Sequence, residues 1–261
     1  MSVESKYKRV VKLNNFREKL QQNKVCKSLI NSLYPMDFTC NNCGRELPVA
    51  TRSGLCKECD SKLEYNNGQI CVTCGVKTNS ETNYCLSCQN NKRYFQFARS
   101  PLIYTGTTRK LIKNFKFAGK RYLSTYFVNL MVDTYLDNPF TCDTVCEVPI
   151  SKSRMVERGF NQSELLAKDI AKRLKLNHCS ALEKVKDTVD QVGLSSLERK
   201  KNLEGAFACI KDVKGKNILL VDDVLTTGST ASECSKILLK AGAKSVEVLT
   251  IASVEEKIYL A

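Results

Sequence analysis

The sequence predicts an α/β fold, a parallel sheet flanked by helices with a small N-terminal cysteine-rich domain, and three observations carry this. From residue 143 onward, short apolar runs alternate with amphipathic helical stretches, the signature of strand–helix–strand units. One run leads into two aspartates and a hydroxyl-rich turn, "ILLVDDVLTTGST", Ile218 to Thr230. Ahead of the sheet, eight of the 14 cysteines form four C-x-x-C pairs.

Length and composition set the frame. With 261 residues, 43% apolar and 26% charged, the chain has material for one large domain or two small ones. No run approaches the roughly 18 apolar residues of a membrane span, so no membrane insertion is expected. The N-terminus has lysines without the apolar stretch of a secretory signal, which predicts a cytoplasmic protein. In that compartment clustered cysteine pairs read as metal ligands, not disulfides. The formal net charge is +14. Residues 1–38, a basic arm, carry 8 basic and 3 acidic groups, and residues 91–140 carry 9 and 2. Such an excess suits a polyanion, with nucleic acid foremost, or a solvated surface.

The cysteine-rich domain spans 39–90. Its pairs are Cys40/Cys43, Cys56/Cys59, Cys71/Cys74 and Cys85/Cys88, separated by twelve, eleven and ten residues. Two intervening residues let both sulfurs of a pair reach one ion, and two pairs complete a closed tetrahedral site with no position for a catalytic water. One or two structural Zn2+ ions are expected. Sequential pairing (first pair with second, third with fourth) is simplest, and a cross-braced arrangement also fits the spacing. Gly44 and Gly75 each follow a second cysteine, as a tight knuckle requires. The remaining cysteines, Cys26, Cys142, Cys146, Cys179, Cys209 and Cys234, are scattered and read mostly as small core residues.

Residues 91–261 form the sheet domain, opening with a basic helical segment, 91–140. "RYFQFARSPLIYTG" reads as extended. "TTRKLIKNFKFAGKRYLSTYFVNLMVDTYL" reads as two helices broken at Gly119. Leu111, Ile112 and Phe115 share one helix face. Phe115, Phe117 and Tyr122 are expected in the core. Lys110, Lys113, Lys116, Lys120 and Arg121 are the candidate nucleic-acid contacts, since basic side chains interleaved with aromatics hold single strands by phosphate contact and stacking. Beyond them, "DTVCEVPI", "KNILLVDD" and "KSVEVLTIAS" read as strands. "FNQSELLAKDIAKRLKL" and "STASECSKILLKAGA" read as helices. The single histidine, His178, reads as structural or surface.

Open α/β sheets bind ligands at the carboxyl ends of their strands. Asp222 and Asp223 stand where "NILLV" ends, and Thr226, Thr227, Gly228, Ser229 and Thr230 lead into a helix. Backbone N–H groups entering a helix attract a phosphate. Carboxylates would repel that phosphate unless they face another part of the ligand, and a vicinal diol supplies the hydrogen-bond donors they need. The stretch therefore predicts a 5-phosphorylated ribose. The G-x-x-x-x-G-K-[ST] spacing of a P-loop is absent.

This stretch resembles the phosphoribosyl-diphosphate (PRPP) motif of type I phosphoribosyltransferases. More narrowly, the cysteine pairs, "YTGTTRKLIKNFKFAGK", "VPISKSRMVERGFNQSELLA", "DTVDQVGLSSLERKKNLEGAF" and the motif itself, in that order over about residues 39–253, resemble the ComF family of competence proteins. The resemblance implies PRPP binding with Mg2+, single-stranded DNA binding, and a role in DNA uptake during natural transformation, with a DNA-uptake helicase or translocation partner. It makes Asp222, Asp223, Lys152 and Arg158 the catalytic candidates of a phosphoribosyltransferase. The turn with Ser151 and Lys152 would stand in the place of the diphosphate loop, and Lys152, Arg154 and Arg158 would supply charge to the diphosphate. Thr188, Gln191, Arg199 and Asn202 fall in a loop that closes over substrate in that fold. The alternative is a non-catalytic, zinc-containing DNA-binding protein whose PRPP site is regulatory or vestigial.

Overall fold

The computed structural model describes residues 39–47, 51, 53–79, 82–117, 119–186 and 203–256. The arm at 1–38, Cys26, and the loop residues Thr188, Gln191, Arg199 and Asn202 lie outside these. The chain divides into two compact units between Asp60 and Ser61. The boundary therefore falls inside the cysteine-rich segment 39–90, and the second quartet of cysteines lies in the same unit as the sheet.

In the first unit Thr39 bridges Glu46 across a knuckle, where the Gly44 N–H donates to the Cys40 carbonyl at 2.9 Å. A short helix, α1 (Lys57–Asp60), carries the last ligand pair onward. Gly54 has φ +65, and a Cβ there would meet Asn41 Nδ2 at 2.2 Å, so this turn requires glycine.

In the second unit, α2 (Leu86–Asn90) follows the third and fourth cysteine pairs. Then come β1 (Ala98–Arg99), β2 (Leu102–Ile103), α3 (Gly106–Phe117), α4 (Leu123–Leu136), β3 (Thr144–Glu147), α5 (Lys152–Arg158), α6 (Gln162–Leu174), β4 (Asn177–His178), β5 (Leu182–Lys184), β6 (Phe207–Cys209), β7 (Asn217–Leu225), α7 (Ser229–Lys240) and β8 (Ser245–Ser253). The main sheet runs β1-β8-β7-β3-β4, with β2 also on β8. Every pairing in it is parallel. All nine residues of β8 are buried, as expected of a parallel strand covered on both faces. β5 and β6 form a separate antiparallel pair.

Alternation along the strands sorts the core into two layers. Ile218, Leu220, Val246 and Val248 pack with Cys234 and Leu238 of α7, with Cys71, Cys74 and Cys85 of the second quartet, and with Val76 beside them. The other layer holds Leu111, Ile112 and Phe115 of α3, Phe127 and Met131 of α4, and Leu166 and Ile170 of α6, all fully buried. The Phe115 ring lies 5.6 Å from Phe127 and 5.9 Å from Phe160. On α6 the buried stripe is Gln162, Ser163, Leu166, Ala167, Ile170 and Ala171.

The KNILLVDD strand includes both acids as expected, and β7 runs on beyond them to Leu225 against β8. One sequence expectation needs correction. Phe117 and Tyr122 are not core residues but are 57% and 60% exposed. α3 ends at Phe117, and Gly119, at φ +64, turns the chain before α4, so neither ring reaches the sheet. Cys142, Cys146 and Cys234 are buried as expected. Burial pushes the Cys146 thiol up to about 12, which keeps it inert. Among the described residues no helix is long and apolar enough to cross a membrane.

Candidate functional site

β3 pairs with β7 only as far as Glu147 opposite Val221. Beyond that point no described strand pairs with that edge of β7, and Asp222 and Asp223 stand there. Asp223 is buried and Asp222 partly so. Asp222 Oδ1 accepts from Ser163 Oγ at 3.0 Å and from the Asp223 N–H at 2.8 Å. Burial pushes the Asp222 carboxyl up to about 7; the Asp223 charge adds to this, and Lys116 and the two hydrogen bonds oppose it. Asp223 Oδ1 receives the Lys116 ammonium at 2.7 Å, with the two side chains 13% and 19% exposed. The site thus holds two adjacent carboxyl groups and one cation already committed to them.

The phosphate-loop candidates follow directly. Thr226 is exposed, Gly228 is buried, and Thr227, Ser229 and Thr230 lie between these extremes. Gly228 takes φ +71 as the residue capping α7, a conformation open to glycine at no steric cost. Thr227 Oγ1 and Ser229 Oγ are 2.9 Å apart, and the Ser229 N–H points to Thr227 Oγ1 at 3.4 Å. Hydroxyls and N–H groups converge at the positive end of a 12-residue helix.

The expected diphosphate residues form α5. Ser151 is its N-cap, accepting the Arg154 N–H on Oγ at 3.3 Å. Lys152 is exposed and Arg154 half-buried. Arg158 lies over the Phe117 ring at 4.7 Å and donates to Gln162 Oε1 at 3.1 Å. Gln162 Nε2 donates to the Lys116 carbonyl at 3.3 Å. Arg158, Gln162, Lys116 and Asp223 therefore form one connected chain beside the Ser163–Asp222 contact. Gln162 and Ser163 were not singled out from sequence. Their signal is Asn161, which caps α6 by accepting the Ser163 N–H at 3.0 Å and so fixes the first turn of that helix at the site.

The five basic candidates for nucleic acid separate. Lys110, Lys113 and Arg121 are exposed, and Lys120 is half-buried. Arg121 stacks on Phe160 at 4.5 Å and donates to the Gly159 carbonyl at 3.2 Å. Lys116 turns inward to Asp223. His178 Nε2 meets Glu147 Oε2 at 2.9 Å on the sheet edge.

The eight paired cysteines form two quartets in sequential order, Cys40, Cys43, Cys56 and Cys59, then Cys71, Cys74, Cys85 and Cys88, with the sulfurs of each within 4.8 Å of one another. This settles the pairing against a cross-brace. The Cys56 N–H points at Cys40 Sγ at 3.3 Å, and Asn42 Nδ2 at Cys59 Sγ at 3.2 Å. Hydrogen bonds with Cys74, Cys85 and Cys88 hold the Cys71 thiol far below its ordinary range, while those with Cys71, Cys85 and Cys88 push Cys74 up. Four thiols this close share protons that a tetrahedral cation would replace, so the donor set fits structural zinc.

Comparison with known proteins matches a double zinc ribbon domain to residues 29–89 and a phosphoribosyl transferase domain to residues 161–260. Competence protein F of Haemophilus influenzae is 28% identical over 225 residues, covering 83% of this chain and 97% of that protein. Competence protein ComFC of Bacillus subtilis is 30% identical, covering 76% of this chain and 83% of that one. The DNA utilization protein YhgH of Escherichia coli K12 is 30% identical over 204 residues, 75% of this chain and 88% of that one. With this identity over most of both lengths, and with both domains present in order, the chain belongs to the ComF family of competence proteins.

Proposed function

We propose that the protein binds PRPP, with Mg2+, at the open edge of β7 and binds single-stranded DNA on the neighbouring basic surface, acting in DNA uptake. One observation carries the ligand reading: two carboxyl groups at the end of a buried parallel strand, followed within four residues by a hydroxyl-bearing turn into α7. Asp222 and Asp223 would accept the ribose hydroxyls, and residues 226–230 would hold the 5-phosphate. Lys152, Arg154 and Arg158 would neutralise the leaving diphosphate as the sugar takes on positive charge. Magnesium would supply further charge neutralisation there. The relatives' names, competence and DNA utilization, support the DNA-handling half. So do exposed Lys110, Lys113 and Arg121 near exposed Phe117 and Tyr122, where bases could stack between phosphate contacts.

A second reading, in which PRPP regulates DNA handling and no transfer occurs, is favoured by Lys116. In the free protein it occupies the carboxylate that a ribose diol would use. Diphosphate release with candidate acceptors separates the two readings.

Calorimetry with PRPP and magnesium tests ligand binding directly, and absence of heat with zinc-replete protein would remove the reading. Asp222→Asn should abolish PRPP binding, spare DNA binding, and stabilise the fold by about 1 kcal/mol near pH 8. The sign follows from the raised folded-state pKa, about 7. The folded state holds the Asp222 proton more tightly than the unfolded chain, so stability falls as pH rises from about 4 through about 7. The asparagine variant should lack that part of the slope in pH-dependent denaturant melts. Neutralising Lys110 and Lys113 should flatten the salt dependence of DNA affinity by about one unit of slope per lysine.

A further inference from the structure

Arg93 lies between the two matched segments, 29–89 and 161–260, and inside neither. Its guanidinium nonetheless lies at the phosphate-loop candidate. A Cβ on Gly228 would stand 3.5 Å from Arg93 Nη1 and 3.6 Å from its Cζ. Nη2 donates to Ser87 Oγ at 2.7 Å, and Ser87 sits between Cys85 and Cys88 of the second quartet. Nε is buried and has no hydrogen-bond partner among the described residues. The neighbouring residues dock on α7 as well. The Tyr94 N–H donates to Ser232 Oγ at 3.3 Å, and Phe95 Cζ comes within 3.8 Å of the Gly228 position.

This placement sets a cation between two sites of opposite character. Arginine carries its charge at any physiological pH. A helix N-terminus is already positive, so a cation there is unfavourable. On one side, the guanidinium meets Cys88, one of four thiolates that leave a net −2 around a divalent ion. On the other, it packs beside Gly228 of the turn at 226–230, and its buried Nε–H is unspent among the described residues. Buried donors without acceptors are rare in native proteins and need a partner.

We propose that Arg93, contributed by the segment that leaves the second zinc ribbon, is a further binding residue for the 5-phosphate. It lends positive charge to the loop at Gly228 and is held in place from the cysteine side through Ser87. This rests on the reading of residues 226–230 as a phosphate site. It extends that site to a residue outside the matched segment 161–260.

The test is titration calorimetry on the full chain with two probes, ribose 5-phosphate and magnesium diphosphate, comparing wild type, Arg93→Gln and Arg93→Lys, with zinc measured in each. The expected result is roughly tenfold weaker ribose 5-phosphate binding by Arg93→Gln, at unchanged magnesium diphosphate affinity and two zinc ions per chain. Arg93→Lys should recover part of the loss, because charge is kept and the planar fork is not. Unchanged ribose 5-phosphate affinity in Arg93→Gln would overturn the inference and leave the phosphate site standing. Loss of zinc, or equal weakening of both probes, would make Arg93 a structural residue and overturn it too. Failure of the wild type to bind ribose 5-phosphate would remove both this inference and the site reading beneath it.

Discussion

The two cysteine quartets share one spacing plan but differ in what surrounds them. In the first, Cys43 is exposed and the ligand loops are held by local bonds, such as Asn41 N–H to the Gly54 carbonyl at 2.9 Å and the exposed Arg45–Glu58 pair. In the second, Cys71, Cys74 and Cys85 belong to the same apolar layer as β7, β8 and α7. Its knuckle is keyed to the sheet: the Ala98 N–H donates to the Thr73 carbonyl at 2.7 Å, and a Cβ on Gly75 would stand 2.4 Å from the Ala98 carbonyl oxygen. Zinc ribbons have too little apolar material to fold without metal. One of these borrows a core from the sheet, and the other relies on its ion and its own turns.

That contrast can be broken in three ways of decreasing size. Cys74→Ser should cost on the order of 4 kcal/mol or prevent folding, because it opens a metal site inside a packed core. Cys43→Ser should release one zinc and leave the melting of the sheet unit unchanged. Equal loss of thermal stability in both variants would erase the distinction. Next, Gly75→Ala should destabilise by about 3 kcal/mol through left-handed strain plus collision with backbone. Gly44→Ala, with no described residue within 4 Å of the added carbon, should cost about 1–2 kcal/mol from strain alone. Denaturant melts of the pair measure the difference. Smallest is Glu256, beyond β8. Its carboxylate accepts from the Leu86 N–H at 2.6 Å and from Thr78 Oγ1, strapping the second ribbon to the end of the sheet. Glu256→Ala should cost about 1 kcal/mol and speed zinc release from the second quartet alone.

Legibility from sequence followed the strength of local pattern. The long buried runs at 217–225 and 245–253, and the helices at 106–117, 162–174 and 229–240, all announce themselves by period and composition. β1, β2 and β4 have two residues each, too short for any period, and exist only because β8 and β3 offer them an edge. The even spacing of the four cysteine pairs hid the unequal setting of the quartets, since embedding depends on Ala98, Val246 and Val248, far along the chain. The acids and hydroxyls of the candidate site were readable because they are consecutive. Lys116, Ser163 and Arg93 were not, because each arrives from another element and nothing local distinguishes Lys116 from the other lysines of its helix. Phe117 and Tyr122 were misplaced because hydrophobicity argues for burial, while a glycine turn after α3 decided otherwise.

Strand β7 carries both acids within its ladder, and the hydroxyl turn begins one residue after the strand ends. Amide protons at 218–222 should therefore exchange with solvent only when the whole sheet opens, while those at 226–230 exchange far sooner. An arriving sugar phosphate would find its diol anchor already frozen and would lose conformational freedom only at the turn. Its binding should slow exchange in those five amides and leave the strand beside them silent.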